Sequence, residues 1–213
     1  MVCGRSIGHT LVMKTARRAA LLEGAAVIGI LLGVMWVLEI VNKIDGQRLS
    51  ADGIYPRSLS GLLGVISAPF LHAGFEHLLG NTVPFAILGV LIAFGGARSV
   101  IEVTVIVALV AGLGTWLTAS SGSDTVGASG IVFGYAGYLI ARGFFTRRVI
   151  ELGLGVLVAV LFGGALAWDL IPHPGVSWED HLFGGLGGIL AARLLTRSER
   201  RSSAKAVEQK AAA

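Results

Sequence analysis

The chain has 213 residues, of which 54% are hydrophobic and only 14% charged, with a formal net charge of +4. Soluble domains usually carry about 25% charged residues, so this composition excludes an ordinary soluble domain and favours a bundle of apolar helices. The single cysteine, Cys3, excludes an intramolecular disulfide and a cysteine metal cluster.

Six apolar segments follow one another along the chain. A helix of about 20 apolar residues crosses a bilayer core of about 30 Å. The predicted spans are residues 19–41, 78–94, 100–119, 126–140, 149–170 and 182–195. The fourth and sixth are short and glycine-rich, and we assign them as spans because they lie among clear ones. The first is too long, and lacks the cleavage site, for a signal peptide.

Lysine and arginine are distributed unevenly between the two sides of such a bundle. Six spans place both termini on one side, which then carries fourteen basic residues, whereas the other side has only Lys43, Arg48 and Arg57. Cytosolic segments of membrane proteins are rich in Lys and Arg. Both termini are therefore predicted to be cytosolic, and because the charge follows topology, no nucleic-acid partner is expected.

The sequence thus predicts an all-α membrane protein with six transmembrane helices. Residues 1–18 form a cytosolic segment, residues 19–196 the membrane domain, and residues 197–213, which are polar and alanine-rich, a disordered cytosolic tail. The long outer loop, residues 42–73, contains several apolar residues, so we expect part of it to lie in the membrane interface.

Four polar side chains stand out inside the spans: His77, Asn81, Ser129 and His181. Polar residues in a membrane are costly and usually functional. At about 1.5 Å per helical residue, Ser129 lies ~20 Å, His181 ~18 Å and Asn81 ~21 Å from the cytosolic ends of their spans. His77 is one turn above Asn81 on the same face. Three spans therefore place polar groups in one layer of the outer leaflet.

This layer has the groups that acyl-transfer chemistry needs. A serine hydroxyl becomes a nucleophile when a base takes its proton, and histidine is the usual base. Ser129 and His181 can fill these roles. Attack on an amide produces an oxyanion that needs fixed donors, for which the Asn81 amide, a His77 ring N–H and the Ser129 backbone N–H, in the first turn of its helix, are candidates.

Glycines explain how the spans approach one another. Gly127 and Gly130 flank Ser129, and the pairs Gly130/Gly134 and Gly184/Gly188 are each spaced by four. This small-residue spacing permits close contact between helix backbones. A hydrogen bond between serine and histidine on separate helices needs such a short distance.

These motifs together resemble the rhomboid family of intramembrane serine proteases, over roughly residues 53–195. The resemblance rests on three motifs on the second, fourth and sixth spans: His72-Ala-Gly-Phe-Glu-His77-Leu-Leu-Gly-Asn81, then Gly127-Ala-Ser129-Gly130, then His181 followed by Gly184, Gly185 and Gly188. The segment Gly53-Ile-Tyr-Pro56-Arg57 is similar to a recurrent rhomboid loop. The resemblance implies a Ser–His dyad without a cofactor, a water-filled cavity open to the outside, and cleavage of single-pass membrane proteins.

The chain departs from the family pattern at two points. Phe133 stands where the family often has tyrosine, four residues after Ser129, and we expect its ring to pack against His181 and limit its rotation. The first outer loop also lacks a Trp-Arg pair that some members have. The first departure concerns how the base is held, and the second concerns loop structure only.

Structural interpretations remain open for several of these residues. Asn81 can clip two helices together, and His77 can stabilise a loop. His72 lies outside the second span, and structural hydrogen bonding is the favoured interpretation. Asp180 adjoins His181 in sequence, and adjacent helical residues do not face each other, so a dyad is favoured over a triad. Asp180, Glu179 and Asp169 are expected to be outer-surface charges.

Two other functions compete with that of a protease. A catalytically inactive rhomboid-like binder would recognise membrane segments without cutting, but such proteins lack the serine or the histidine. A transporter or channel commonly shows repeats and polar residues through the whole membrane depth, and the inner halves of these spans have almost none. A metal site is poorly supported, because no carboxylate or cysteine accompanies the histidines. A bacterial plasma membrane is the expected location.

Overall fold

A computed structural model describes residues 3–211, which fold into seven α-helices. The helices are α1 (Cys3–Ile44), α2 (Leu59–Ser67), α3 (Phe75–Ala93), α4 (Ala97–Thr118), α5 (Ser129–Thr146), α6 (Val149–Asp169) and α7 (Trp178–Ala211). Short 3-10 turns, Leu49–Asp52 and Ala68–Phe70, flank α2. The only β-type pairing in this part of the chain is an isolated bridge between Ile54 and Thr125. The predicted all-helical class agrees with this architecture.

Four helices have the length and apolar composition of a membrane span. They are Met13–Ile44 within α1, and α3, α4 and α6 in full. The two short, glycine-rich segments predicted as spans correspond to α5 and the first part of α7. Neither is among these four helices. Helix α5 is long enough, with 18 residues, but is not apolar enough, and α7 continues into a charged segment.

Helix α5 occupies the centre of the bundle and contacts α3, α4, α6 and α7. Its most extensive contact is with α7, where glycines face each other. A Cβ atom on Gly184 would meet the backbone carbonyl of Gly130, and one on Gly188 would meet that of Gly134. The two pairs of glycines therefore allow direct backbone contact between the helices.

The loop between α1 and α3 contains a short amphipathic helix. In α2, the Ser58 hydroxyl caps the first turn by accepting from the Gly61 backbone N–H at 3.0 Å. Leu59, Leu63 and Ile66 leave one apolar face exposed, as is typical of a segment in the membrane interface. The Gly127 N–H donates to the Ala68 carbonyl at 2.9 Å, so this loop supports the segment that precedes α5.

The C-terminal tail differs from the sequence-based expectation of disorder. Helix α7 continues without a break to Ala211, and all residues from 197 onwards whose burial the structure describes are exposed. Alanine, arginine, lysine and glutamate are strong helix formers, and α7 already supplies the nucleus. Ion pairing of Arg142 with Glu199 at 3.0 Å anchors the start of this extension to α5.

Candidate active site

A cavity of about 300 Å³ lies between α3, α5 and the N-terminal end of α7. All four polar residues of the predicted layer line it: His77, Asn81, Ser129 and His181. The remaining lining residues are Gly80, Thr125, Val126, Asp169, Gly175, Val176 and Ser177. A larger cavity of about 650 Å³ shares part of this wall and is lined mostly by loop residues, together with His77 of α3 and Trp178 and Glu179 of α7. Groups far apart in sequence thus line one common cavity, next to the loops that precede α5 and α7.

The ring of His181 is held by two contacts. Its Nδ1 lies 2.8 Å from the backbone carbonyl oxygen of Asp169. A carbonyl only accepts, so Nδ1 carries the hydrogen and donates it, and in the neutral ring Nε2 keeps its lone pair. His181 is 5% exposed. The backbone carbonyl of Asp169, the last residue of α6, therefore selects the tautomer of His181 in which Nε2 can accept a proton.

Phe133 provides the second contact. Its ring stacks on the His181 imidazole with centroids 4.1 Å apart and planes at 6°. Phe133 is one turn below Ser129 on α5, so both project from the same face of the helix. The predicted packing of Phe133 against the imidazole is confirmed, and it requires the ring of phenylalanine but no hydroxyl.

Ser129 is the first residue of α5, as the sequence indicates. The first N–H groups of a helix lack intrahelical partners, and the helix dipole favours negative charge at this end. Gly127 precedes it with a φ of +122°, and a Cβ there would lie 2.6 Å from the Cε1 atom of His77. Both the backbone conformation and the close approach of His77 therefore require glycine at position 127.

Asn81 and His77 lie one turn apart on α3. Asn81 is 7% exposed, and its Nδ2 has no hydrogen-bond partner among the described residues. A buried amide donor without a partner costs free energy, and this one borders the cavity that Ser129 lines. Asn81 therefore keeps a donor available to an oxygen atom placed in the cavity.

His72 is fully buried and does not line the cavity. Its ring packs edge-on against that of His77 with centroids 5.1 Å apart. Burial, together with the adjacent His77, lowers the pKa of His72 to about 4, so the ring is neutral at pH 7. Its carbonyl accepts hydrogen bonds from Asn42 at 3.1 Å and Ser50 at 3.3 Å, which agrees with a structural role.

The expectation that Asp180 and Glu179 are outer-surface charges is wrong, because they are only 6% and 9% exposed. Asp180 accepts from the Thr115 hydroxyl at 3.4 Å and from the Gly130 backbone N–H. A Cβ on Gly130 would collide with the Asp180 carboxylate. The carboxylate thus occupies the positive end of the α5 dipole.

The hydrogen bonds of Asp180 run away from the imidazole of the next residue, and His181 takes its hydrogen bond from the Asp169 carbonyl instead. The sequence predicts neither the burial of Asp180 nor the backbone acceptor of His181. Every residue type has a backbone carbonyl, so the residue at position 169 does not indicate the acceptor. For Asp180, the sequence signal is Gly130, whose missing Cβ leaves room for a side chain from another helix.

Comparison with known proteins agrees with the fold and the motifs. A family model described as the Rhomboid domain matches residues 60–198. This match covers more than half of the chain, so the chain belongs to the rhomboid family, whose members are generally intramembrane serine proteases. Together with the apolar helices, it identifies an integral membrane protein.

Several bacterial proteins are similar to this chain over most of its length. Uncharacterized protein Rv1337 of Mycobacterium tuberculosis is 36% identical over 204 residues, which cover 92% of this chain and 85% of the relative. Uncharacterized protein ML1171 of Mycobacterium leprae is 34% identical over 209 residues, covering 94% and 82%. A Bacillus subtilis protein named "Putative rhomboid protease YdcA" is 28% identical over 162 residues, covering 75% and 77%.

Proposed function

We propose that this protein is an intramembrane serine endopeptidase that hydrolyses peptide bonds in or near the transmembrane segments of single-pass membrane proteins. The observation that carries the proposal is the shared cavity, in which Ser129 lies together with a histidine whose Nε2 is left free to accept a proton. The family assignment supports the same reaction class.

In the proposed mechanism, Ser129 Oγ attacks the carbonyl carbon of the scissile bond while its proton passes to Nε2 of His181. The carbonyl oxygen becomes an oxyanion and accepts hydrogen bonds from Asn81 Nδ2, the His77 ring and the Ser129 backbone N–H. The imidazolium then protonates the leaving amine as the C–N bond breaks. Water enters from the outer cavity, and His181 activates it to hydrolyse the acyl-enzyme.

A catalytically inactive rhomboid-like binder is the alternative. A binder needs neither the proton acceptor nor the unpaired donor of Asn81, and both are costly to keep in a buried site. The stacked, hydrogen-bonded His181 and the unpartnered Asn81 Nδ2 favour the enzyme.

The proposed topology has six spans, with α5 and the first part of α7 added to the four long apolar helices. Because α5 is covered by its neighbours, it does not need the length or apolarity of a helix in contact with lipid. The excess of Lys and Arg then places both termini in the cytosol and opens the cavity to the extracytoplasmic side. A bacterial plasma membrane agrees with the bacterial relatives.

The site constrains the substrate. Every carbonyl within a helix is already hydrogen-bonded, so a continuous helix cannot present its backbone to Ser129. Substrates should have Gly, Pro or small polar residues near the outer end of their span. By the family resemblance, the residue before the cut is small, such as alanine.

Incubation with a panel of single-pass proteins in liposomes, followed by mass mapping of the products, tests this proposal. The panel should pair each substrate with a version whose outer turn is replaced by leucine. The proposal expects cuts near the outer end of the helix-weakened members only. Efficient cutting in the middle of an uninterrupted leucine helix would contradict it.

A further inference from the structure

A buried polar cluster lies at the outer end of α1, a helix that lines no part of the candidate active-site cavity. Glu39 and Asn42 are each 1% exposed. The cluster is completed by the side chains of Gln47 and Ser50 and by the backbone carbonyl of His72. Buried polar groups inside a membrane are costly and call for an explanation.

Asn42 is the centre of this cluster. Its Nδ2 lies 3.1 Å from the His72 carbonyl oxygen and 3.2 Å from Glu39 Oε2, with Ser50 Oγ at 2.9 Å and Gln47 Oε1 at 3.0 Å. Its Oδ1 accepts from the Ser50 backbone N–H at 3.3 Å. One amide therefore joins α1, the turn that follows it and the strand-like segment that enters α3.

Glu39 has an unusual environment for a buried carboxyl group. Its hydrogen bonds come from the Asn42 and Gln47 amides, at 3.2 and 3.5 Å, and no ion pair to it occurs within the described residues. A buried carboxyl group without a cation is expensive. Its acceptor oxygens fix the orientation of the Asn42 amide, since they require the NH₂ side of that amide to face them.

The segment beyond His72 connects this cluster to the cavity. Only Ala73 and Gly74 separate His72 from α3, and Gly74 has a φ of +137°, a conformation that only glycine adopts readily. The segment therefore has little stiffness of its own. The ring of His72 packs against His77, which lines the cavity, so the hydrogen bond from Asn42 restrains the group against which His77 rests.

We propose that Asn42, oriented by Glu39, is a positioning residue for His77 and acts through the His72 backbone. This inference rests on the proposed function, since it assigns the effect to the oxyanion side of that reaction. The first span thus takes part in catalysis without contributing a side chain to the cavity.

The test measures kcat and KM for a cleavable single-pass reporter in liposomes, per mole of folded protein. Asn42→Ala should lower kcat by about tenfold, in line with a small displacement of a stabilising group, and leave KM within about twofold. Glu39→Gln, which keeps the size of the side chain but replaces one acceptor oxygen with an NH₂ group and removes the negative charge, should lower kcat by about threefold. In a His77→Ala background, both substitutions should have almost no further effect on kcat, because the group they position is absent.

A matched control uses a different hydrogen bond from α1, which is made to α3 itself. Trp36 Nε1 donates to Thr82 Oγ1 at 3.1 Å, and this contact does not involve the His72 segment. Trp36→Phe should lower the free energy of unfolding but keep kcat within about twofold of the parent.

The outcomes separate the two proposals. Suppose that cleavage depends on Ser129, but the fold-loss in kcat of the Asn42→Ala/His77→Ala double variant equals the product of the two single losses. The positioning role is then refuted, while the proposed protease function stands. If Asn42→Ala does not fold, Glu39→Gln gives the same comparison with and without His77, and multiplying losses there refute the inference equally. If no cleavage depends on Ser129, the proposed function fails and this inference fails with it.

Discussion

The stack of Phe133 on His181 gives a prediction whose size follows from the geometry. The two ring centroids are 4.1 Å apart and the planes are nearly parallel. Contacts of this kind between aromatic rings contribute about 0.5–1.5 kcal/mol beyond the area they bury. Since about 1.4 kcal/mol corresponds to a tenfold change in an equilibrium or a rate, loss of the stack should reduce the aligned fraction of His181 by about 2- to 10-fold.

Phe133→Leu removes the aromatic face but keeps most of the volume, so kcat should fall by that factor while the free energy of unfolding falls by about 1 kcal/mol. Phe133→Tyr keeps the ring, so its kcat should stay within a few-fold of the parent. Phe133→Ala also leaves a cavity, which should cost about 3–5 kcal/mol of stability and up to ~10²-fold in kcat.

The assay is cleavage of a saturating single-pass reporter in liposomes, with tryptophan fluorescence to follow unfolding. Phe145→Leu on the same helix is the control, because Phe145 packs against the core near the C-terminal end of α5. It should lower stability without changing kcat. If Phe133→Leu retains full kcat with preserved stability, the ring does not hold the base, and the Asp169 carbonyl alone positions His181.

Two further predictions concern the oxyanion donor and the helix contact. Asn81→Ala should lower kcat by ~10²-fold. The Kd for substrate, measured in the Ser129→Ala background, should stay nearly unchanged. A weaker Kd with normal turnover of bound substrate would instead make Asn81 a recognition residue. Gly184→Ala should lower both the free energy of unfolding and kcat, because its Cβ would meet the Gly130 carbonyl. Gly185→Ala should change neither, because its Cβ would meet nothing within 4 Å. Equal effects of the two substitutions would show that close contact between α5 and α7 is not required.

The sequence predicts the layer of polar groups well because helix geometry is regular. A constant rise per residue lets heights be compared between spans, and the structure places Asn81, Ser129 and His181 around one cavity. The spacing of glycines by four is equally readable, because Gly130 and Gly134 meet Gly184 and Gly188 directly.

Other features depend on backbone orientation and on loops, which leave weak signals in a single sequence. The acceptor for His181 is a main-chain carbonyl, which any residue at position 169 would supply. Asp180 has the charge of a surface residue, and only its packing against Gly130 buries it. The contact between Asn42 and the His72 carbonyl joins positions 30 residues apart through an irregular loop, so no periodicity indicates it.

The proposed nucleophile is Ser129, activated by His181. The rate of reporter cleavage in liposomes by the parent protein, Ser129→Ala, His181→Ala and the double variant, each normalised to folded protein, tests this assignment most directly. We expect each single substitution to remove nearly all cleavage and the double variant to be little worse than either, because the two residues act as a unit. Substantial turnover by Ser129→Ala would contradict it.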